Sequence, residues 1–259
     1  MIRQRQLTGT TIGVSDGYVQ ANLVILPEKD AFDFLRFCER NPKPCPILGV
    51  TSPGNPHPEE LAEGADLRTD LICYKIYRHG KRVAEVENIA DLWRRDLVAF
   101  LIGCSLSFDQ VLLQAGFRLD YREGEQGRVY VYVSNIRCRS AGRFSGPMVV
   151  SMRPIPGDRV AEVVAITSRF PKVHGSPVYI GDPAGIGVDE TIDQGMKKYD
   201  LGSVHSVIPK LPKHLTPVFW GCGITPQTAA IESQVEFMIT HGPATLFLTD
   251  LKTEELASY

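Results

Sequence analysis

Apolar positions in this chain follow two periods, and the change from one to the other predicts its elements. Between Pro27 and Arg40, Ala31, Phe34, Leu35 and Cys38 recur at i, i+3, i+4 and i+7, and Asn41-Pro42 ends the run, so a helix is expected with Cys38 in its buried stripe. Asn41-Pro-Lys-Pro-Cys-Pro46 is too rich in proline for helix or central strand and reads as an extended connector into a strand-like run, Ile47 to Pro53. Ile72, Tyr74 and Ile76 alternate with Cys73, Lys75 and Tyr77, which predicts a strand turning at His79-Gly80 into a partner over 82–87. Leu92, Leu97, Phe100 and Leu101 fall near one face of a helix expected over 91–102. Gly103-Cys104 would stop it, Ser107 would open the next helix with Gln110 placed for a capping box, and Gly116 would close that one. Beyond it, 129–133, 147–152 and 160–167 read as three strands.

The stretch Pro217-Val-Phe-Trp-Gly-Cys-Gly-Ile-Thr-Pro-Gln227 organises the rest. It reads as a buried strand that breaks at Gly221 and Gly223 and resumes as a helix, with Thr225 as N-cap and Pro226 as first helical residue. Such a turn aims backbone N–H groups outward at the positive end of a helix, where an anion or a developing oxyanion can be held. Val98 to Gln110 repeats the order of apolar run, Gly-Cys, hydroxyl residue and Gln, and Gly49 to Pro53 is a fainter copy. The expected fold is α/β, mixed sheets with helices in two interleaved subdomains, with internal duplication as a further expectation. Residues 1–116 with 217–259 are assigned to a main α/β domain, and 117–216 to a smaller β-rich α+β subdomain ending in the loop-rich stretch 182–215. That stretch is either a lid or a subunit contact in a homo-oligomer.

Composition changes this picture mainly by exclusion. The chain has 259 residues, enough for a large core, and 28 basic against 30 acidic residues mixed along it, for a net charge of −2. Nothing in that balance calls for nucleic acid or an anionic membrane as partner. The six cysteines, Cys38, Cys45, Cys73, Cys104, Cys138 and Cys222, lack paired spacing and read as reduced thiols. Met1-Ile-Arg-Gln-Arg-Gln is unlike a signal or transit peptide, and the longest apolar run, 97–102, is too short to span a bilayer, so a cytoplasmic location is expected.

Several side chains could carry chemistry. Cys104 and Cys222 sit in glycine-flanked turns before helix N-termini, which favour thiolate, although most such cysteines are small packing residues. Arg68, Arg153 and Arg169 stand at the ends of apolar runs, where guanidinium forks suit carboxylates, or where they would pair with neighbouring acids and loop carbonyls. His174 and Asp182 flank a short strand, and His241 follows another, positions suited to acid/base work or to structural hydrogen bonds. No P-loop, dinucleotide fingerprint, HExxH or GxSxG is present. No cofactor is called for; His174, Asp182 and His241 are the set that could converge on a divalent metal.

Gly17 to Leu23, Asn41 to Pro46, Asp66 to Asp70, Gly103 to Phe108, Gly146 to Pro154, Ile166 to Pro171, His174 to Pro177, Ile180 to Pro183, Pro217 to Gln227, Ile239 to Pro243 and Thr249-Asp250 together resemble, nearly end to end, the hydro-lyase family that includes the D-glutamate cyclase domain. The resemblance implies an α/β fold of two interleaved parts and, for the characterised branch, closure of D-glutamate to 5-oxo-D-proline with loss of water. On that basis Arg68, Arg153 or Arg169 would hold a small carboxylate or amino-acid substrate, and His174, oriented by Asp182, would act as base. His241 would act as acid, and Ser105, Ser107 and Thr225 would lie in turns supplying oxyanion donors. Tyr179 stands where relatives often carry a second histidine, and acids are missing at Ser203 and just before Pro217, which allows for a changed substrate. Two alternatives follow: a small-carboxylate binding protein with altered catalysis, and a cysteine-dependent amidase using Cys104 or Cys222 as nucleophile.

Overall fold

The computed structural model describes residues 1–119, 129–188, 199 and 209–258. Its larger sheet runs in the order β2 (Ile47–Val50), β5 (Leu97–Gly103), β1 (Tyr18–Pro27), β10 (Phe237–His241), β3 (Tyr74–Arg78) and β4 (Lys81–Val86), with β11 (Phe247–Lys252) also pairing with β1. The smaller sheet runs β6 (Tyr130–Arg137), β7 (Pro147–Pro156), β9 (Leu215–Gly221) and β8 (Tyr179–Ile180). Among the described residues every strand pairing is antiparallel. Four α-helices are described: α1 (Glu28–Arg40), α2 (Leu106–Gln114), α3 (Val160–Ser168) and α4 (Thr225–Glu232). None is long and apolar enough to cross a membrane.

The large sheet is covered on both faces, which explains why its central strands are apolar throughout rather than alternating. Val24 and Leu26 of β1 pack with Phe34 and Phe37 of α1 and Ala229 and Ala230 of α4. Leu23 and Ile25, on the opposite face, meet Leu61, Ala62, Leu67 and Leu71 from the irregular stretch after β2. In the smaller sheet Val150 and Met152 face Tyr132 and Phe219, while Trp220 packs with Phe108 of α2 and Val163 of α3.

Two elements differ from the sequence expectation. Residues 97–103 form β5, not the end of a helix over 91–102; all seven are buried, and only a short 3-10 turn, Ala90–Leu92, precedes it. Residues 160–168 form α3, not a strand: Val163 and Thr167, one helical turn apart, are the buried pair, and the intervening residues are open to solvent or half-buried. In α3 tertiary burial overrode the weak local preference of β-branched residues, and in β5 burial on both faces removed the alternation that marks a strand.

Strand β9 hydrogen-bonds along β7 from Leu215–Pro156 to Gly221–Val150, so the stretch Pro217 to Gly221 lies in the smaller sheet. The echo between residues 98–110 and 218–227 appears as two strand–Gly-Cys–helix turns, β5 to α2 and β9 to α4. The sheets feeding those turns differ in strand number and order among the described residues, so the fold does not confirm the internal duplication. Most of the expected lid or subunit-contact stretch, 189–198 and 200–208, and with it Ser203, falls outside the described residues.

Candidate active site

The two Gly-Cys turns meet between the sheets, and the space they leave is a cavity of about 390 Å³. Cys104, Ser105 and Leu106 line it from the first turn, Cys222 and Ile224 from the second, Asn22 and His241 from the large sheet, and Val131 and Ser151 from the small one. Thr10 and Ala244 lie at its edge, joined by a hydrogen bond of 3.0 Å from the Thr10 hydroxyl to the Ala244 carbonyl. A larger groove, about 1040 Å³, runs under the N-terminal segment past Arg3, Arg5 and Glu87. Arg3 is already paired with Asp70 and Arg5 with Glu87, so that groove offers less unspent chemistry than the inner cavity.

Local backbone geometry explains why glycine is needed at the turns. A Cβ on Gly223 would sit 2.0 Å from the Asn22 amide nitrogen and 3.0 Å from the Gly103 carbonyl, so the second turn lies directly against the first and against β1. A Cβ on Gly221 would meet the Pro44 backbone at 2.8 Å, and one on Gly103 the Lys172 carbonyl at 2.0 Å. The proline-dense connector and the segment before His174 therefore form the wall behind the two turns.

Beneath the cavity lies a buried ion pair. Arg153 of β7 and Asp109 of α2 are both 0% exposed, with Nε donating to Oδ1 at 2.9 Å and Nη2 within 2.7 Å of the same oxygen. The guanidinium stacks near Phe108 and Trp220, at 4.9 and 5.3 Å. Its Nη2 also donates to the Ser105 hydroxyl at 3.1 Å and its Nη1 to the Ser151 hydroxyl at 3.4 Å. Arg153 thus does not reach the cavity as a carboxylate-binding fork. It holds in place two hydroxyls that do line the cavity.

The other expected arginines are elsewhere. Arg68 forks onto Asp66, with Nη2–Oδ2 at 2.7 Å, and Arg169 is exposed at the C-terminal end of α3. Ser107 and Thr225 are buried struts: the Ser107 hydroxyl accepts the Gln20 N–H at 2.9 Å, and the Thr225 hydroxyl accepts the Val149 N–H at 3.0 Å. Neither caps its helix; α2 starts at Leu106 and α4 at Thr225 without a side-chain cap, so the expected capping box and Thr225 N-cap are absent.

His174 and Asp182 do not form a pair. His174, 1% exposed, sets Nδ1 2.7 Å from the Lys43 carbonyl, and its Nε2, turned toward Gly103, makes no hydrogen bond of good geometry. Asp182 is exposed and accepts the Ala184 N–H at 3.0 Å, capping the 3-10 turn after β8 as an Asp before proline commonly does. With His241 on β10, the three form no metal-binding group among the described residues.

His241 does line the cavity. Its Nε2 lies 3.0 Å from Asn22 Oδ1 and its Nδ1 2.6 Å from the Gly242 carbonyl, while Asn22 Nδ2 reaches the Gly103 carbonyl at 3.3 Å. Burial pushes the ring down to about 4, and the Lys75 charge adds to that push, so it is a neutral imidazole at pH 7. His174 is likewise lowered to about 4 by burial.

The thiols are as symmetric as the turns. The Leu106 N–H points to the Cys104 sulfur and the Ile224 N–H to the Cys222 sulfur, each at a helix N-terminus. Burial nevertheless raises both, Cys104 to about 12 and Cys222 to about 11, against the opposing pull of those N–H groups and Arg153. Asn22 and Ser151 were not singled out from the sequence. The signal for Asn22 was an amide inside an otherwise apolar strand, since a buried amide must have partners.

Residues 98–250 match the family model described as D-glutamate cyclase. The chain is 49% identical over 256 residues to a protein named "Putative hydro-lyase" from Geobacillus kaustophilus, covering 99% of this chain and 94% of that one. It is 51% identical over 258 residues to one of the same name from Thermoanaerobacter sp., covering 99% and 93%. A nitrogen repressor-like protein of Methanococcus jannaschii, solved as a crystal structure, covers 95% of this chain and 93% of its own at 12% identity and a TM-score of 0.40, too loose a likeness to argue from.

Proposed function

The chain belongs to the D-glutamate cyclase family, whose relatives carry the hydro-lyase name, and from that premise we propose that the inner cavity closes D-glutamate to 5-oxo-D-proline with loss of water. The observation that supports this most directly is the cavity's character: about 390 Å³, ligand-sized, floored by buried residues such as Asn22, Ser105, Ser151 and His241, and without a charged side chain among its described lining residues. Ring closure needs an uncharged amine as nucleophile and a protonated carboxyl as leaving group, the reverse of their states in water. Desolvation moves both in the required direction, the amine down and the carboxyl up.

The remaining groups divide the work. The Ser105 and Ser151 hydroxyls, held by Arg153, donate to the substrate carboxylate and to the oxyanion of the tetrahedral intermediate. His241, neutral with its Nε2–H donated to Asn22 Oδ1, takes a proton from the ammonium group on Nδ1 in place of its contact with the Gly242 carbonyl. The amine nitrogen then bonds to the side-chain carbonyl carbon, and the imidazolium returns the proton to the departing oxygen. A second such transfer moves the other nitrogen proton, so the oxygen leaves as water and the ring nitrogen keeps one hydrogen.

Incubation of the protein with D-glutamate, followed by mass and chiral chromatography, is expected to yield 5-oxo-D-proline. His241→Gln should lower kcat by roughly 10²–10⁴-fold, the range for loss of a general acid–base group. Absence of both turnover and thermal stabilisation by D-glutamate or 5-oxo-D-proline would remove this reading.

A further inference from the structure

The role above leaves two titratable nucleophiles of the cavity unused. Cys104 and Cys222 arise from different sheets, line the same space, and are near enough that charge on Cys222 acts on the Cys104 thiol. Each sulfur accepts the N–H of the residue two positions on, at the start of a helix of eight or nine residues, and Arg153 acts on both from below. A lone buried cysteine is usually packing. Two in equivalent turns, both turned into a ligand-sized cavity and both met by a backbone donor, form a matched set. Two interacting groups that compete for protons titrate as a unit, so Cys222, the lower of the two at about 11, ionises first while Cys104 stays protonated. At pH 7 the thiolate is the minor form, and inversion should speed up as pH rises.

We propose that Cys104 and Cys222 act as a thiol–thiolate pair that removes and returns the α-hydrogen of a small 2-amino carboxylic acid, giving this site an epimerising activity besides loss of water. The inference rests on the reading of the cavity as the substrate site. In the step, the thiolate of one cysteine takes the α-proton and becomes a thiol. The C–H electron pair stays on the α-carbon, delocalised into a carboxylate held by the Ser105 and Ser151 hydroxyls that line the cavity. The thiol of the other cysteine then gives its proton to that carbon from its own side and becomes the thiolate. No atom or electron is gained or lost, the configuration inverts, and the two cysteines exchange protonation states. A carbon acid held between two such groups meets base and acid without either having to diffuse.

The test uses the whole protein in D2O with four probes supplied separately: D-glutamate, L-glutamate, 5-oxo-D-proline and 5-oxo-L-proline. Proton NMR reads deuterium at the α-carbon, and chiral chromatography reads inversion. The expected result is α-deuteration with appearance of the mirror form for at least one probe. Cys104→Ser and Cys222→Ser should each lose inversion by at least about 100-fold, the scale of a missing acid–base group. With one thiol gone, the other still exchanges deuterium from its own side without inverting. Thermal melting confirms that each serine variant folds, and Cys104→Ala and Cys222→Ala provide a second pair. Absence of α-deuterium in all four probes with the wild-type protein overturns the inference, whether or not ring closure proceeds. Inversion at the wild-type rate in both serine variants overturns it as well. Deuteration with inversion that both serine variants lose, without 5-oxoproline formation, would uphold the thiol pair and sink the cyclisation reading, so the two fail separately.

Discussion

Replacing Asp109 with alanine isolates the support beneath the cavity. The residue is wholly buried and its Oδ1 receives Nε and Nη2 of Arg153 at 2.9 and 2.7 Å. Asp109→Ala removes the Nε–Oδ1 hydrogen bond, the close Nη2 ionic contact and the carboxylate facing a guanidinium that water does not reach. Breaking one side of a buried pair costs about 3–5 kcal/mol. At ~2–4 °C per kcal/mol for a chain of this size, Tm should fall by about 6–20 °C. Differential scanning calorimetry at pH 7 measures it directly. The double variant Asp109→Leu/Arg153→Met replaces the pair with apolar groups beside Phe108 and Trp220, and is expected to recover most of the loss, because the desolvation of two charges goes with it. It removes the donors on Ser105 and Ser151 all the same, so ligand binding should stay impaired while stability returns. A Tm for Asp109→Ala within about 2 °C of wild type, or a double variant less stable than the single one, would refute the account of this pair.

Gly223→Ala forces a methyl group to within 2.0 Å of the Asn22 amide, and is expected to cost about 1–3 kcal/mol and to weaken D-glutamate binding as Asn22 leaves His241; calorimetry with a binding titration checks both. Acid should destabilise the protein through His174 and His241: the unfolded rings titrate near 6.5 and the folded ones near 4, so the unfolded state binds more protons across that window. Stability is then full above 6.5 and falls as pH drops toward 4, by roughly 3 kcal/mol for each ring, which urea melts across that range would measure. His174→Asn should flatten that slope by about half, and an unchanged slope would show that its ring is not the source.

How much of this could be read from the chain depended on whether the signal was local. The turns at Cys104 and Cys222 were legible because glycine spacing and a following helix are properties of adjacent residues. The helix over 28–40 was legible because its apolar stripe faces a single core. Strand β5 was misread because it is covered on both faces, and a run without alternation fits a helix as well as a strand. Helix α3 was misread because Val160, Val163, Val164 and Ile166 have β-branched side chains, and only packing against Trp220 and Phe108 decides the matter. The roles given to Arg153 and His174 depended on which partners the fold would bring near, and those partners, Asp109 and the Lys43 carbonyl, carry no mark in the local sequence, whereas the Asp182 cap on Ala184 N–H is the local habit of an Asp before proline.

Strand β1 has β5 along one edge and shares the other between β10 and β11. Asn22 and His241, which meet in the cavity, are 219 residues apart in the chain. During synthesis at about 5–20 residues per second, β1 is complete long before its partners on that edge exist. Its open edge and apolar faces must wait, exposed to pairing with other chains, until residues 237–252 emerge. A ribosome-bound chain halted before residue 237 should therefore hold the Gly-Cys turns without the His241 wall, lack ligand binding, and depend on chaperones that shield strand edges. The site is completed only when residues 237–252 have left the ribosome, so ligand binding by a nascent chain would report completion of the whole large sheet.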